Sequence, residues 1–194
     1  PDNGAVGRWV TSRLYESNRD IRLAQYAVLG VGGVRALHAM GIEPSVYHFN
    51  EGHPALGVCE LLARARLQQP SAGDDAAWQR VRQQVVFTTH TPVAAGNESY
   101  PREMVLRMLG RIGDLAGDRE KFLAMGRIDP ARADQPSGMT ALALRTSRQA
   151  NAVSRRHGQV ARSMWQALFP GRAAEGVPIT HVTNGVHART WLSS

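Results

Sequence analysis

The chain has 194 residues, of which 43% are hydrophobic and 20% charged, a composition typical of one globular domain or a large part of one. Its net charge of +7 comes from arginines that are dispersed along the sequence rather than clustered, which argues against a nucleic-acid surface. The sequence shows no apolar run long enough for a membrane span, no signal-peptide pattern and only one cysteine, so we expect a cytoplasmic protein without a disulfide, a membrane or a nucleic-acid partner.

The first predicted element is a helix over residues 21–40, where apolar side chains recur at intervals of three and four. This helix contains the glycine-rich sequence LGVGG, from Leu29 to Gly33. No predicted strand precedes these glycines, and the third glycine of G-x-G-x-x-G is absent. We therefore attribute the glycines to close helix packing rather than to nucleotide binding.

A strand over residues 44–50 (PSVYHFN) and a helix beginning around Pro54 are predicted next. Proline suits the first turn of a helix, which would place Gly52 and His53 near the N-cap. Alternation along the strand should turn His48 and Asn50 to one face and Phe49 to the other.

The same pattern recurs further along the chain. A strand is predicted over residues 83–90 (QQVVFTTH) and a helix over residues 101–112. Residues 113–137 mix charge, glycine and proline and should form short helices joined by loops.

A long helical stretch is predicted over residues 139–168, with an interruption near His157 and Gly158. A third strand and turn follow at residues 177–185 (VPITHVTNG). This series predicts an α/β fold with a Rossmann-like, mostly parallel sheet flanked by helices.

Polar side chains follow all three predicted strands. Ligands of open parallel sheets bind beyond the carboxyl ends of the strands, so we expect these side chains to gather at one edge. Neutral donors and acceptors with a few carboxylates suit sugar hydroxyls, which both donate and accept hydrogen bonds. Taken singly, each asparagine or glycine is explained as a turn residue, and only the combination indicates a sugar site. The set is Asn50, Glu51, His53, Thr89, His90, Asn97, Glu98 and Asn184.

Two other kinds of chemistry are less well supported. His48, Glu51 and His53 cluster, but their spacing matches no standard metal motif, and hydrogen-bonding histidines in a polar cleft explain them better. No G-x-S-x-G motif is present, and Cys59 falls in the apolar stripe of its helix, where we expect it to pack.

Four ordered segments resemble consecutive blocks of the α-glucan (glycogen or starch) phosphorylases. They are YHFNEGHPALGVCELL, VVFTTHTPVAAGNE, ANAVSRRHGQVARSMWQALFPG and ITHVTNGVHARTWL. The similarity is closest to the shorter bacterial-type members. The weaker similarity of IRLAQYAVLGVGGVRALHAMGIEP extends the match, so that it covers residues 21–192.

The resemblance implies a two-lobed glycosyltransferase-B architecture, in which residues 1–194 form the latter part of the N-terminal lobe and the C-terminal, cofactor-binding lobe is absent. It implies a glycosyltransferase that cleaves an α-1,4-glucan with phosphate, releases glucose 1-phosphate and uses pyridoxal phosphate. It also allows for allosteric control and a homo-oligomer.

The resemblance also assigns roles to residues. It implies that His90 lies beside the bound glucosyl unit and that Asn184 lies near its hydroxymethyl group. Asn50, Glu51 and His53 match the family's Asn-Asp-x-His-Pro block at the border of the cleft, and Glu98 matches an acidic position eight residues beyond the histidine. Glu51 replaces an aspartate of many members, and Asn97 stands where short-type relatives often have histidine, which leaves the fine substrate preference open.

The only lysine, Lys121, lies outside these blocks among charged residues. We expect it to face solvent, so that the pyridoxal-bearing lysine is not in this chain and the isolated chain is inactive. The first residue, Pro1, and the final WLSS, which follows an expected strand and turn, also indicate an interior piece of a longer protein. Apolar side chains should then be exposed where neighbouring segments would pack.

Two alternatives remain at this point. A sugar-nucleotide-dependent glucan synthase has a similar two-lobed architecture and similar strand-end motifs, although TTHTPVAAGNE favours a phosphorylase. A carbohydrate-binding or interaction module would bind glucan without any dependence on a cofactor.

Overall fold

The structure is a computed structural model that describes residues 4–14 and 16–192. Pro1 and the last two serines, which entered the expectation of a longer protein, lie outside the described residues. The helices are α1 (Ala5–Val10), α2 (Arg19–Ala27), α3 (Gly33–Ala39), α4 (Gly57–Gln68), α5 (Gly73–Gln84), α6 (Arg102–Leu115), α7 (Arg119–Gly126), α8 (Met139–Thr146), α9 (Arg155–Trp165) and α10 (Ala188–Trp191). The strands are β1 (Tyr47–Asn50), β2 (Val85–Thr89), β3 (Ser99–Tyr100), β4 (Ser137–Gly138), β5 (Gln149–Ala152) and β6 (Ile179–His181).

The centre of the fold is a parallel sheet with the strand order β1-β2-β5-β6, which confirms the α/β prediction. All three strands expected from the sequence belong to this sheet. β3 and β4 form a separate antiparallel pair. Since the four strands run in the same direction, their carboxyl ends meet at one edge.

The two faces of the sheet differ in chemistry. One face carries a row of paired apolar side chains, Phe49, Phe87, Ala150 and Ile179, which are all buried in the core. α8 packs against β2 and α9 against β5 and β6. The opposite face carries the paired row Asn50, Thr88, Asn151 and Thr180. The alternation predicted for β1 is confirmed, because Phe49 is buried while His48 and Asn50 are exposed.

The strand β5 corrects the prediction of one long helix over residues 139–168. That stretch consists of α8, β5 and α9, and the break lies at residues 147–154, ahead of His157. The sequence of β5, QANA, lacks the β-branched and aromatic residues typical of strands. Its conformation is set by tertiary pairing with β2 and β6, and its small side chains Ala150 and Ala152 fit in the buried layer under α9.

The predicted first helix is one uninterrupted helical segment, in which a π-helical turn at Val28–Gly32 joins α2 to α3. Gly30 in this turn touches the chain before α4. A β-carbon on Gly30 would lie 2.5 Å from the nitrogen of Gly57 and 2.9 Å from the carbonyl oxygen of Pro54. Close packing is thereby confirmed for Gly30. It is wrong for Gly32 and Gly33, where an added β-carbon would meet open space.

The start of α4 corrects a second prediction. The helix begins at Gly57, and Pro54 lies in a preceding turn rather than in the first helical turn. Within that turn the amide of Ala55 donates to the carbonyl of Gly52, and the amide of Gly57 to that of Pro54. The contact with Gly30 holds this turn in place, so His53 projects from a packed loop and not from an N-cap.

Burial tests two further expectations. Cys59 is fully buried in the core, and burial raises the pKa of its thiol to about 12, which agrees with a packing role. Beyond β6, Val182, Val186, Trp191 and Leu192 are exposed, as expected for bare apolar surface.

No helix among the described residues is long and apolar enough to cross a membrane. Within residues 4–14 and 16–192, no group of three or more His, Cys, Asp or Glu side chains could hold a metal ion.

Candidate functional site

Glu51 joins the ends of β1 and β2. Its carboxylate oxygen Oε2 accepts hydrogen bonds from the amide of His90 at 2.7 Å, the amide of Thr91 at 2.9 Å and the hydroxyl of Thr91 at 2.8 Å. The amide of Glu51 donates to the carbonyl of Thr88 at 2.8 Å. The segments HFNEGH and TTHTP therefore lie side by side at the carboxyl edge of the sheet, as predicted.

The backbone of Glu51 is strained. Its φ of 67° lies in the left-handed region, which costs a non-glycine residue about 1–3 kcal/mol. Three hydrogen bonds to a carboxylate oxygen offset that cost, because bonds to a charged acceptor are stronger than neutral ones. The other oxygen, Oε1, is buried and has no hydrogen-bond partner in the described part of the chain. Strained residues of this kind cluster at functional sites.

His157, in the first turn of α9, continues this connection toward the other strands. The amide of Val153 donates to His157 Nδ1 at 3.3 Å. Nδ1 is therefore the unprotonated ring nitrogen, and Nε2 carries the proton and donates to the carbonyl of Thr91 at 3.4 Å. His157 is buried. A buried neutral imidazole thus joins the loop after β5 to the loop after β2.

The loop after β6 is attached to the same chain of contacts. The amide of Asn184 donates to the carbonyl of Val153 at 3.1 Å, and the amide of Val182 donates to the carbonyl of Ala152 at 2.9 Å. Hydrogen bonds therefore run from Glu51 through Thr91, His157 and Val153 to Asn184. The two residues for which the sequence predicts catalytic roles, His90 and Asn184, are held at opposite ends of one bonded edge, and the side chains of both are exposed.

A second polar cluster surrounds Arg22 of α2. The guanidinium donates through Nε to Glu98 Oε1 at 3.1 Å, and its Nη2 lies 2.8 Å from His53 Nε2. The hydroxyl of Tyr100 donates to the second oxygen of Glu98. The guanidinium carbon lies 5.0 Å from the centroid of the Tyr26 ring. His53 and Glu98, predicted separately, are brought together by Arg22.

The charges in this cluster follow from these contacts. Burial opposes ionisation of Glu98, but hydrogen bonds from Tyr100, Tyr26 and Arg22 outweigh it and hold the pKa of the carboxyl below its usual value. Burial and the neighbouring Arg22 lower the pKa of His53, against a smaller opposing effect of the carboxylates. At neutral pH the cluster consists of a guanidinium, a carboxylate and a neutral imidazole.

A cavity of about 400 Å³ opens beside this cluster. It is lined by Asn50 at the end of β1 and His53 in the following loop, by Arg22 and Tyr26 from α2, and by residues of the segment before α2, among them Leu14. Amide, imidazole and guanidinium groups around apolar walls offer both donors and acceptors. Such a lining can bind the hydroxyls and the ring faces of a sugar.

Two of the predicted polar residues serve the protein itself. The side-chain amide of Asn97 donates to the carbonyl of Val93 at 3.0 Å, and its oxygen accepts from the hydroxyl of Thr140 at 2.9 Å. Thr89 is fully buried. The turn explanation therefore holds for Asn97, and Thr89 belongs to the core.

Lys121 does not fit a cofactor lysine. Its ammonium lies 2.6 Å from Asp75 Oδ1 and 3.2 Å from Asp74 Oδ2, and it also lies near the ring of Trp78. Burial opposes the charge, but the hydrogen bonds to Asp75 and Asp74 outweigh it and raise the pKa of Lys121. The expected solvent-facing lysine is instead partly covered and paired. A Schiff base requires a neutral amine, which this setting disfavours.

Sequence reasoning missed two residues of the site. Arg22 lies 76 positions before Glu98, and nothing in the local pattern relates them. The sequence indicates His157 only as an interruption of a predicted helix. The available signal for it was Ser154, whose hydroxyl accepts from the amide of His157 at 3.1 Å and caps α9 in the manner typical of a helix start.

Comparisons with known proteins agree with this architecture. The family model for carbohydrate phosphorylases matches residues 35–194. The chain is similar to maltodextrin phosphorylase of Thermococcus litoralis, with 38% identity over 99% of this chain and 22% of the relative. It is also similar to glycogen phosphorylase of Mycobacterium tuberculosis, with 39% identity over the whole chain and 23% of the relative, and to that of Aquifex aeolicus, with 35% identity over the whole chain and 27% of the relative. The chain thus spans about a quarter of the length of the curated relatives it matches.

Proposed function

The chain belongs to the carbohydrate phosphorylase family, and we propose that it forms one wall of the sugar-binding cleft of an α-1,4-glucan phosphorylase. The reaction proposed for the longer protein is cleavage of the terminal α-1,4 bond of a glucan by phosphate, with release of glucose 1-phosphate. The names of the similar proteins, maltodextrin phosphorylase and glycogen phosphorylase, support a glucan of this kind.

The observation that carries the proposal is the contact of Glu51 with His90 and Thr91. This contact joins the end of β1 to the end of β2. It also fixes the backbone of His90, whose imidazole is exposed. A rigid backbone preorganises the imidazole for a sugar, so that less of the binding free energy is lost in ordering the site. We propose that His90 and Asn184 contact the glucosyl unit.

The remaining predicted residues divide into two groups. Asn50 and His53 line the cavity and are proposed to bind sugar hydroxyls. Glu51 binds protein donors through Oε2 and Glu98 binds them through both oxygens, so we propose that the two carboxylates act on substrate through the groups they hold. Neutral donors and acceptors at fixed positions suit sugar hydroxyls, which both donate and accept hydrogen bonds.

The setting of Lys121 supports one further element of the proposal. Because this lysine is paired with Asp74 and Asp75, we propose that pyridoxal phosphate is attached to a lysine elsewhere in the longer protein. No step of the reaction is therefore assigned to a cofactor bound by these 194 residues.

The test is to incubate the full-length protein with a maltodextrin and inorganic phosphate, and separately with a nucleotide sugar. Phosphate-dependent release of glucose 1-phosphate together with bound pyridoxal phosphate is the expected result. Glucan extension from the nucleotide sugar without that cofactor would identify a synthase. Glucan binding without either activity would identify a binding module.

A further inference from the structure

Arg22 forms hydrogen bonds to several groups in addition to its ion pair with Glu98. The side chain is only 11% exposed. Besides Glu98 and His53, its guanidinium donates to the carbonyl of Leu14 at 3.1 Å and to the side-chain oxygen of Gln25 at 3.4 Å. Each of the three guanidinium nitrogens therefore has at least one hydrogen-bond acceptor that orients the side chain.

The contact with His53 determines the protonation of that ring. A guanidinium has only donors, so the His53 nitrogen that lies 2.8 Å from Arg22 Nη2 must accept. Nε2 thus carries the lone pair, and the single proton of the neutral ring is on Nδ1. A second proton on Nε2 would bring an N–H group against a guanidinium N–H group and would break the bond.

The ring plane of His53 is fixed as well. Its centroid lies 5.2 Å from that of Tyr26, with an interplanar angle of 75°, an edge-to-face arrangement that favours one orientation. Tyr26 also lies under the guanidinium of Arg22 and edge-on to Tyr100, at 6.3 Å between centroids. The orientation and the tautomer of His53 are thus held from two sides.

We propose that Arg22 is a positioning residue of the site, whose guanidinium holds His53 neutral with its proton on Nδ1 and anchors it to the Glu98 carboxylate. His53 then presents an N–H donor of fixed direction. This inference rests on the proposed function for the statement that His53 faces substrate, but the arrangement of Arg22, His53 and Glu98 is independent of it.

The charged groups around His53 determine how the ring should titrate. Burial and Arg22 lower its pKa, whereas Glu51 and Glu98 act in the opposite direction. Without the guanidinium, the two carboxylates would still raise the pKa of His53, and the lowering effect of Arg22 would be gone. Burial would still lower the pKa of His53, which should then rise toward its ordinary value of 6.5.

The first experiment is NMR spectroscopy of the chain labelled with ¹⁵N in its histidines, and it requires neither substrate nor cofactor. The expected result is a neutral His53 ring at pH 7 with the proton on Nδ1 and a titration midpoint below 6.5. A proton on Nε2 in the unmodified chain would overturn the proposal. Because this measurement uses no variant, it stands even if a substitution prevents folding.

The second experiment compares Arg22→Met with Arg22→Lys. Arg22→Met should raise the titration midpoint of His53 and allow both tautomers, whereas Arg22→Lys keeps the charge and should retain part of the downward shift. An unchanged midpoint in a folded Arg22→Met chain would also overturn the proposal. In the full-length protein, Arg22→Met should lower turnover by about 10-fold to 100-fold, with a displaced pH profile. If the full-length protein proves to have another activity, the NMR result still decides the role of Arg22.

Discussion

The carboxylate of Glu51 lies 2.7 Å from the amide nitrogen of His90, so the side chain that follows one strand fixes the backbone that follows the next. The same oxygen also binds both donors of Thr91. Glu51 pays for this position with a φ of 67°. The backbone of Glu51 at the end of β1 is strained, and the hydrogen bond made by its side chain fixes the backbone position of His90.

Glu51→Ala should destabilise the chain by about 1–3 kcal/mol, because the amides of His90 and Thr91 lose their acceptor. The measurement is the free energy of unfolding in urea. Glu103→Ala, which removes an exposed carboxylate of α6, is the matched control and should change it little. Equal stability of the two variants would contradict the role of Glu51.

Gly30→Ala should destabilise by about 1–3 kcal/mol, because its methyl group would overlap the backbone of Gly57 and Pro54. Gly32→Ala is the control within the same helical segment. It meets open space and should stabilise by about 0.5–1 kcal/mol, since alanine favours a helix over glycine. Thermal unfolding of both variants measures the difference, and a stable Gly30→Ala chain would exclude the close contact.

His157→Ala should loosen the loops after β2, β5 and β6 together. Backbone amide NMR signals of Thr91, Val153 and Asn184 are expected to shift as a group, because His157 lies between them in one chain of hydrogen bonds. Turnover of the full-length protein should fall by about 10-fold to 100-fold. Gln159→Ala, at an exposed position of α9, should leave the three signals in place. Shifts confined to the residues next to His157 would argue against the connection.

The isolated chain should not catalyse phosphorolysis, because the paired ammonium of Lys121 is a poor amine for a Schiff base. The measurement combines borohydride trapping of pyridoxal phosphate with detection of glucose 1-phosphate. Asp74→Asn with Asp75→Asn should increase trapping at Lys121, since both groups that raise its pKa are removed. Stoichiometric labelling of the unmodified chain with steady product formation would contradict the account.

The strand ends could be predicted from sequence because their signals are local. The apolar runs before HFNEGH, TTHTP and HVTNG mark buried strands, and the polar residues after them fall at one edge once the strands are parallel. The contact of Glu51 with His90 follows from that arrangement. Its hydrogen-bond pattern does not, because a positive φ at a glutamate has no sequence signal.

The rest depends on contacts between distant residues. β5 is a strand because β2 and β6 supply partners on both sides, although QANA itself favours a helix. Arg22 meets His53 and Glu98 only after α2 packs beside the carboxyl edge. For such residues the sequence gives the chemical type of the side chain, but it does not predict which residues the side chain contacts.

The central claim is that His90 and Asn184 stand in the sugar cleft of a glucan phosphorylase, and the most direct test is steady-state phosphorolysis of maltodextrin by the full-length protein and its His90→Ala and Asn184→Ala variants. Both substitutions remove a hydrogen bond expected to strengthen in the transition state, so each should lower turnover by about 10-fold to 1000-fold. Turnover and KM equal to those of the unmodified enzyme in both variants would remove these residues from the site and contradict the account.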